Sequence, residues 1–251
     1  MHPTGHAEPG AKPGEDGVES WVEARVVKVI GSPPCRVGNR MSIVPGGSVS
    51  GTLGCAEFDE QAIADVAEVV ASGEPQTRTL HHDLGDVEVF FEPHLPPKRL
   101  VVVSATDVAR ALRSLAAPLG YRTILVEARQ ERVTAQDAAA AGGAASSLDD
   151  LLDDRTDLVF TDHDAPGVAG MLATALRSPV RFIGVMGSRR HVAPYLEELR
   201  AKGFTDEDLA RIRSPVGLDL GGRWPEEIAL SIAAGLVAAE HGRDAGWMNR
   251  P

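Results

Sequence analysis

The chain has 251 residues, 43% of them apolar, and carries a formal net charge of -11. That length holds one large domain or two modest ones with proper cores. The acidic balance argues against a nucleic-acid partner, whose phosphates call for a basic surface. Two cysteines, Cys35 and Cys55, are too few for a disulfide framework or a zinc ribbon and fit a reducing compartment.

Residues 1–18 have no apolar core, so they read as a disordered tail rather than a signal peptide. Alternation of Val22, Ala24 and Val26 predicts a first strand over 21–30. Two short runs, 41–44 and 48–54, flank Pro45, Gly46 and Gly47 and predict a hairpin. Over 57–72 the period changes: Phe58, Ala62, Val66 and Val69 recur at helical spacing until Gly73. Strands follow at 77–80 and 87–91, so residues 19–95 form a small α+β lobe.

Three prolines within 93–98 mark a linker. Beyond it, apolar runs at 100–103, 123–126, 158–160 and 180–185 alternate with helical stretches at 107–119 and 166–177. This order predicts a parallel sheet covered on both faces, a Rossmann-like doubly wound domain over 98–242, followed by a tail at 243–251. Later helices are expected at 188–202, 205–213 and 225–241, and the alanine- and glycine-rich stretch 138–145 reads as a helix end. The longest apolar run, 228–239, is broken by Ser231 and falls short of the roughly 18 residues a span requires, so a cytoplasmic protein with no membrane partner is expected.

In such a sheet ligands bind at the carboxyl ends of the strands. Four polar strand ends would meet there: Ser104 to Asp107, Glu127 to Arg129, Thr161 to Asp164, and Met186 to Arg190. A dinucleotide fold would place G-x-G-x-x-G at the first of these; Ser104, Thr106 and Asp107 stand there instead, which disfavours NAD(P). Glu127 occupies the place of a ribose-binding acid, or is simply solvated. Gly187 permits a tight turn, Ser188 can cap the next helix, and Arg189 and Arg190 oppose the macrodipole unless an anion joins them. That placement predicts a phosphorylated small molecule as ligand; two solvent-facing arginines are the plainer alternative. Asp162, His163 and Asp164 could serve a metal or acid–base chemistry, or Asp164 could merely cap the following helix. Cys55 precedes a helix, where a thiol can be acidified, or it is a small buried residue.

The whole, over 21–242, resembles the XdhC/CoxI family of accessory proteins for molybdenum hydroxylases. The segments that carry the resemblance are Gly38 to Met41 and Ser48 to Asp59 in the first half. In the second half they are Thr161 to Asp164, Phe182 to Arg190, Gly203-Phe204, Pro215 to Gly221 and Pro225 to Ile232. The resemblance implies a protein that binds molybdenum cofactor and assists its sulfuration and insertion into a xanthine or carbon monoxide dehydrogenase. It also implies a cofactor chaperone rather than an enzyme, with a molybdenum hydroxylase and a cysteine desulfurase as partners and homodimers as a common state. Ser188, Arg189 and Arg190 would then hold the pterin phosphate, and Cys55 would face the sulfur-bearing end. The family's Gly-Ala-Gly-His-like turn is Ser104-Ala-Thr-Asp107 here, which marks a divergent short paralogue. The competing readings are an NAD(P)-binding oxidoreductase and a cofactor-free scaffold for hydroxylase maturation.

Overall fold

The computed structural model describes residues 20–140 and 142–247, the side chain of Arg189 excepted. The terminal segments 1–19 and 248–251, and with them the whole expected tail at 1–18 and the last four residues of that at 243–251, lie outside the described residues. The chain divides into two compact units between Pro96 and Pro97.

The first unit contains strands β1 (Trp21–Gly31), β2 (Arg40–Ile43) and β3 (Val49–Thr52), helix α1 (Ala56–Ser72), and strands β4 (Gln76–Leu80) and β5 (Gly85–His94). The sheet order is β3-β2-β1-β5-β4, with every pair antiparallel. Alternate residues of β1, Val22, Ala24 and Val26, face Phe58, Ala62, Val66 and Val69 of α1 across a closed apolar core. The alternation breaks where the β1–β5 register shifts between Val26 and Lys28, and Val27 there turns outward. Helix α1 ends at Gly73, whose φ of 66° is the left-handed conformation that a glycine adopts cheaply.

In the second unit, β6 (Lys98–Val103), α2 (Asp107–Ala116), β7 (Tyr121–Val126), α3 (Ala135–Ala139) and β8 (Ala144–Ala145) come first. They are followed by β9 (Thr156–Phe160), α4 (Val168–Arg177), β10 (Phe182–Val185), α5 (Arg189–Ala201), α6 (Asp206–Ala210), β11 (Ile212–Arg213) and α7 (Pro225–Glu240). Its sheet is wholly parallel in the order β11-β10-β9-β6-β7-β8. Counted from β6, that is the doubly wound order 3-2-1-4-5-6, whose switch point falls between β6 and β9. The continuous apolar strands follow from burial on both faces. Leu100 and Val102 pack with Leu112 of α2 and Ile232 and Leu236 of α7. Val101 and Val103 pack with Leu172 of α4 and Leu199 of α5.

Two stretches differ from the expectation. The last residues of the expected helix at 205–213 pair as β11 with β10, because helix α6 stops at Ala210 and Arg211 bonds the carbonyls of Leu176, Ser178 and Val180. The alanine-rich stretch 138–145 ends in β8, where Gly142, at a φ of 92°, lies against the Thr123 carbonyl too closely to admit a Cβ. No helix among the described residues is long and apolar enough to cross a membrane.

Phe58 is fully buried in the first core. Phe58→Ala is expected to lower the unfolding free energy by roughly 3–5 kcal/mol, read as a lower denaturant midpoint; an unchanged midpoint would show that the α1–sheet contact is not what holds this unit together.

Candidate functional site

The carboxyl ends of β6, β7 and β9 are tied to one another by side chains that the strand ends themselves supply, and the β10 end meets them where Gly187 lies against His163. At the switch point Thr106 caps α2 through Ala109 N–H and donates its hydroxyl to Thr161 Oγ1 at 3.0 Å. Thr161 in turn donates to the carbonyl of Val103 at 2.9 Å. Ser104 is held at a φ of 83°, in the region that favours glycine, and is 1% exposed. Its Oγ is the buried side-chain polar atom without a partner among the described residues.

Glu127 lies at the end of β7 and is itself 1% exposed. Its two oxygens accept from the amides of Ala105 and Arg129, both at 2.9 Å, and from the Arg129 guanidinium at 2.9 and 3.2 Å. Burial pushes this carboxyl up, but the bonds from Arg129 and from the two amides outweigh it and hold the group below its usual range. The turn amide of Ala105 is thus already taken by Glu127 rather than turned to a ligand. The alternative of a simply solvated acid does not hold, since Glu127 is buried and holds the turn.

Arg129 reaches on to Asp162 at 3.0 Å, and Arg132 bonds the same oxygen at 3.2 Å. Asp162 also accepts from the Asp164 amide at 3.0 Å. Burial would raise its carboxyl, yet the arginines and this amide hold it low. Asp164 does not cap α4; the N-cap residue of that helix is Gly167, with no side-chain cap, and Asp164 stands exposed 3.5 Å from His163 Nε2. The carboxylates at 162 and 164 therefore do different work, the first paired with arginines and the second facing solvent.

His163 lies against Gly187 and stacks on His191 of α5, with ring centroids 4.3 Å apart. Gly187 has a φ of 142°, which a side chain would strain. Ser188 is the N-cap residue of α5 but makes no side-chain cap bond; its Oγ meets His191 Nδ1 at 3.2 Å instead. The first turn of α5 contains no acidic residue. Arg190 is exposed and has no carboxylate partner among the described residues, in contrast to Arg129 and Arg132. The structure thus gathers Glu127, Asp162, His163, Asp164, Gly187, Ser188 and Arg190 within one unit.

Cys55 belongs to the other unit, as N-cap residue of α1. Its Sγ lies within 4.8 Å of Glu57 and His82 ligand atoms, the group among the described residues that could hold a metal ion. The hydrogen bonds argue against an ion there. Leu84 N–H donates to His82 Nδ1 at 3.0 Å, so Nε2 carries the ring proton toward Glu57 Oε2, also at 3.0 Å. Cys35 packs against Gly54, beside Cys55; burial first, then the nearby Cys55, pushes its thiol up.

Sequence reasoning passed over Arg132, His191 and His82. The i+3 spacing of His191 from Ser188 was the available signal for one of them, whereas His82 comes to Cys55 only through the sheet.

The second unit is a Rossmann domain, and residues 100–236 match the XdhC Rossmann domain. Residues 16–83 match the XdhC and CoxI family. The chain belongs to the XdhC/CoxI family. The uncharacterized protein YqeB of Escherichia coli is 28% identical over 91% of this chain and 45% of its own length. The molybdenum cofactor insertion chaperone PaoD of Escherichia coli is 28% identical over 63% of this chain and 44% of its own length. The chain therefore spans less than half the length of these curated relatives. A solved structure described as a xanthine dehydrogenase from Bacillus halodurans shares the fold, with a TM-score of 0.52, 17% identity, and coverage of 93% of this chain and 95% of that one.

Two outcomes are expected. Ser104→Gly removes a left-handed non-glycine and an unpartnered hydroxyl, so it should stabilise the protein by about 1 kcal/mol, measured by denaturant unfolding; destabilisation would mean that the hydroxyl has a partner. Because Glu127 and Asp162 titrate below their unfolded values, they stabilise the fold above the unfolded carboxylate range, and this is lost as pH falls through their folded pKa values. Glu127→Gln should flatten the fall of stability in acid, and an unchanged acid profile would contradict this.

Proposed function

We propose that this chain binds molybdenum cofactor as cargo and passes it to a molybdenum hydroxylase, without turnover of its own. Membership of the XdhC/CoxI family and the relation to PaoD support this reading. The observation that carries it is the start of α5: a helix N-terminus without a side-chain cap, whose first turn has basic residues and no acidic one. Such an end presents amide donors and a positive dipole, and a phosphate there would turn the arginine–dipole conflict into attraction.

Gly187 opens the turn, Ser188 begins the helix, and Arg190 is left free to meet the pterin phosphate while Arg129 and Arg132 are occupied. Arg189 is assigned to the same phosphate by its place in the sequence. His163 and His191 form one wall of the approach, and Asp164 bounds it on the solvent side. Glu127 and Asp162 act as positioning residues, fixing the turns through Ala105, Arg129 and Arg132. Cys55, in the first unit, is proposed separately as a soft sulfur ligand for molybdenum cofactor. A xanthine or carbon monoxide dehydrogenase type of client, delivery of an already sulfurated cofactor, a cysteine desulfurase as sulfur donor and a homodimeric state belong to the same proposal.

Titration of purified protein with molybdenum cofactor, followed by pterin fluorescence, tests the phosphate role. Arg189→Ala with Arg190→Ala should weaken binding at least tenfold, since each charge-assisted bond to an anion contributes roughly 1.5–3 kcal/mol. Equal affinity of the double variant and the wild type would reject that role. Saturable micromolar binding of NADH would instead favour an oxidoreductase.

A further inference from the structure

The opposite edge of the parallel sheet holds a feature that the cofactor reading does not use. A cavity of about 400 Å³ opens where β10 begins, lined in part by Arg181, Phe182, Arg211, Arg213, Arg243 and Asp244. In a chain of net charge -11, four arginines against one aspartate is a local reversal of sign.

The four guanidinium groups are not equivalent. Arg181 is consumed by Asp157, whose carboxylate it meets on both oxygens, and by the Tyr121 hydroxyl at 3.1 Å. Asp157 is fully buried at the start of β9, so this ion pair belongs to the sheet. Arg211 is consumed too: it donates to the carbonyls of Leu176, Ser178 and Val180 at 2.8, 3.3 and 3.0 Å and closes the end of α4. Arg213, on edge strand β11, and Arg243, just past α7, are exposed and make no side-chain hydrogen bond or ion pair among the described residues. Two guanidinium forks are therefore free on one cavity, whose other two arginines are held by their own partners. Phe182, half-buried, and Ala239, exposed, add an apolar patch beside these charges.

We propose that this cavity is a second anion site, separate from the carboxyl rim, that takes a small molecule bearing a phosphate group on an apolar or aromatic body. A guanidinium pair matches phosphate oxygens in bidentate geometry, which a single chloride or a neutral ligand does not exploit. The volume lies within the range of small-molecule sites. Phe182 and its neighbours take the uncharged part of the ligand. Asp244 sets the boundary of the positive region and disfavours ligands that extend charge in its direction.

Calorimetric titration of the full chain with phenyl phosphate, inorganic phosphate and phenol tests this. Phenyl phosphate should bind saturably in the submillimolar range and at least threefold more tightly than inorganic phosphate, while phenol should not bind. Arg213→Gln with Arg243→Gln should weaken phenyl phosphate at least tenfold, and both positions are exposed enough to leave the fold intact by circular dichroism. Should that variant unfold, Arg213→Lys with Arg243→Lys serves instead, keeping the charge and losing the fork, with at least a threefold loss expected. Arg190→Ala should leave this binding unchanged, which separates the cavity from the rim. Absence of saturable phenyl phosphate binding, or wild-type affinity in the Arg213/Arg243 variants, would overturn the proposal. A loss in Arg190→Ala alone would overturn it as well, by moving the anion to the start of α5.

Discussion

One buried carboxylate organises the carboxyl rim of the second unit. Glu127 takes the Ala105 amide with one oxygen and the Arg129 amide with the other, and its charge is balanced by the Arg129 guanidinium. An ion of this kind is tolerable in the interior only when its lone pairs are satisfied and its charge is paired. Because both conditions are met by neighbouring strand ends, the β6 turn, the β7 end and, through Asp162, the β9 end become one hydrogen-bonded body.

This arrangement also bears on cofactor choice. A doubly wound sheet offers its switch-point turn to a pyrophosphate only if that turn presents free amides and no bulk. Here Ser104 brings a side chain to a backbone conformation suited to glycine, and Glu127 occupies the adjoining amide. The anion site proposed on this rim therefore lies at the β10 end, where Gly187 and Ser188 lead into α5 and Arg190 has no carboxylate partner among the described residues. The fold is a Rossmann domain, while the proposed phosphate site lies at a different strand from its switch-point turn.

Much of this architecture was legible from pattern alone. Continuous apolar runs such as 100–103 and 158–160 announce strands covered on both faces, and the helical spacing of Phe58, Ala62, Val66 and Val69 announces the helix that covers the first sheet. Short edge strands were not legible, since Ala144-Ala145 and Ile212-Arg213 are too brief to show a period and pair only because a longer neighbour awaits them. In the site, the convergence of four strand ends followed from topology. The division of labour among the charges did not: Arg129 and Arg132 pair with carboxylates two to thirty-odd residues away, and Asp164 faces solvent where a cap was considered. Such pairings depend on rotamers and loop paths that no spacing rule encodes.

The most direct test of the central claim is an amide-resolved NMR titration of the full chain with molybdenum cofactor. The account predicts that the largest shifts fall on the amides of residues 187–191, with smaller changes at His163. Shifts confined to the region of Arg213 and Arg243, or to the Ser104 turn, would contradict it.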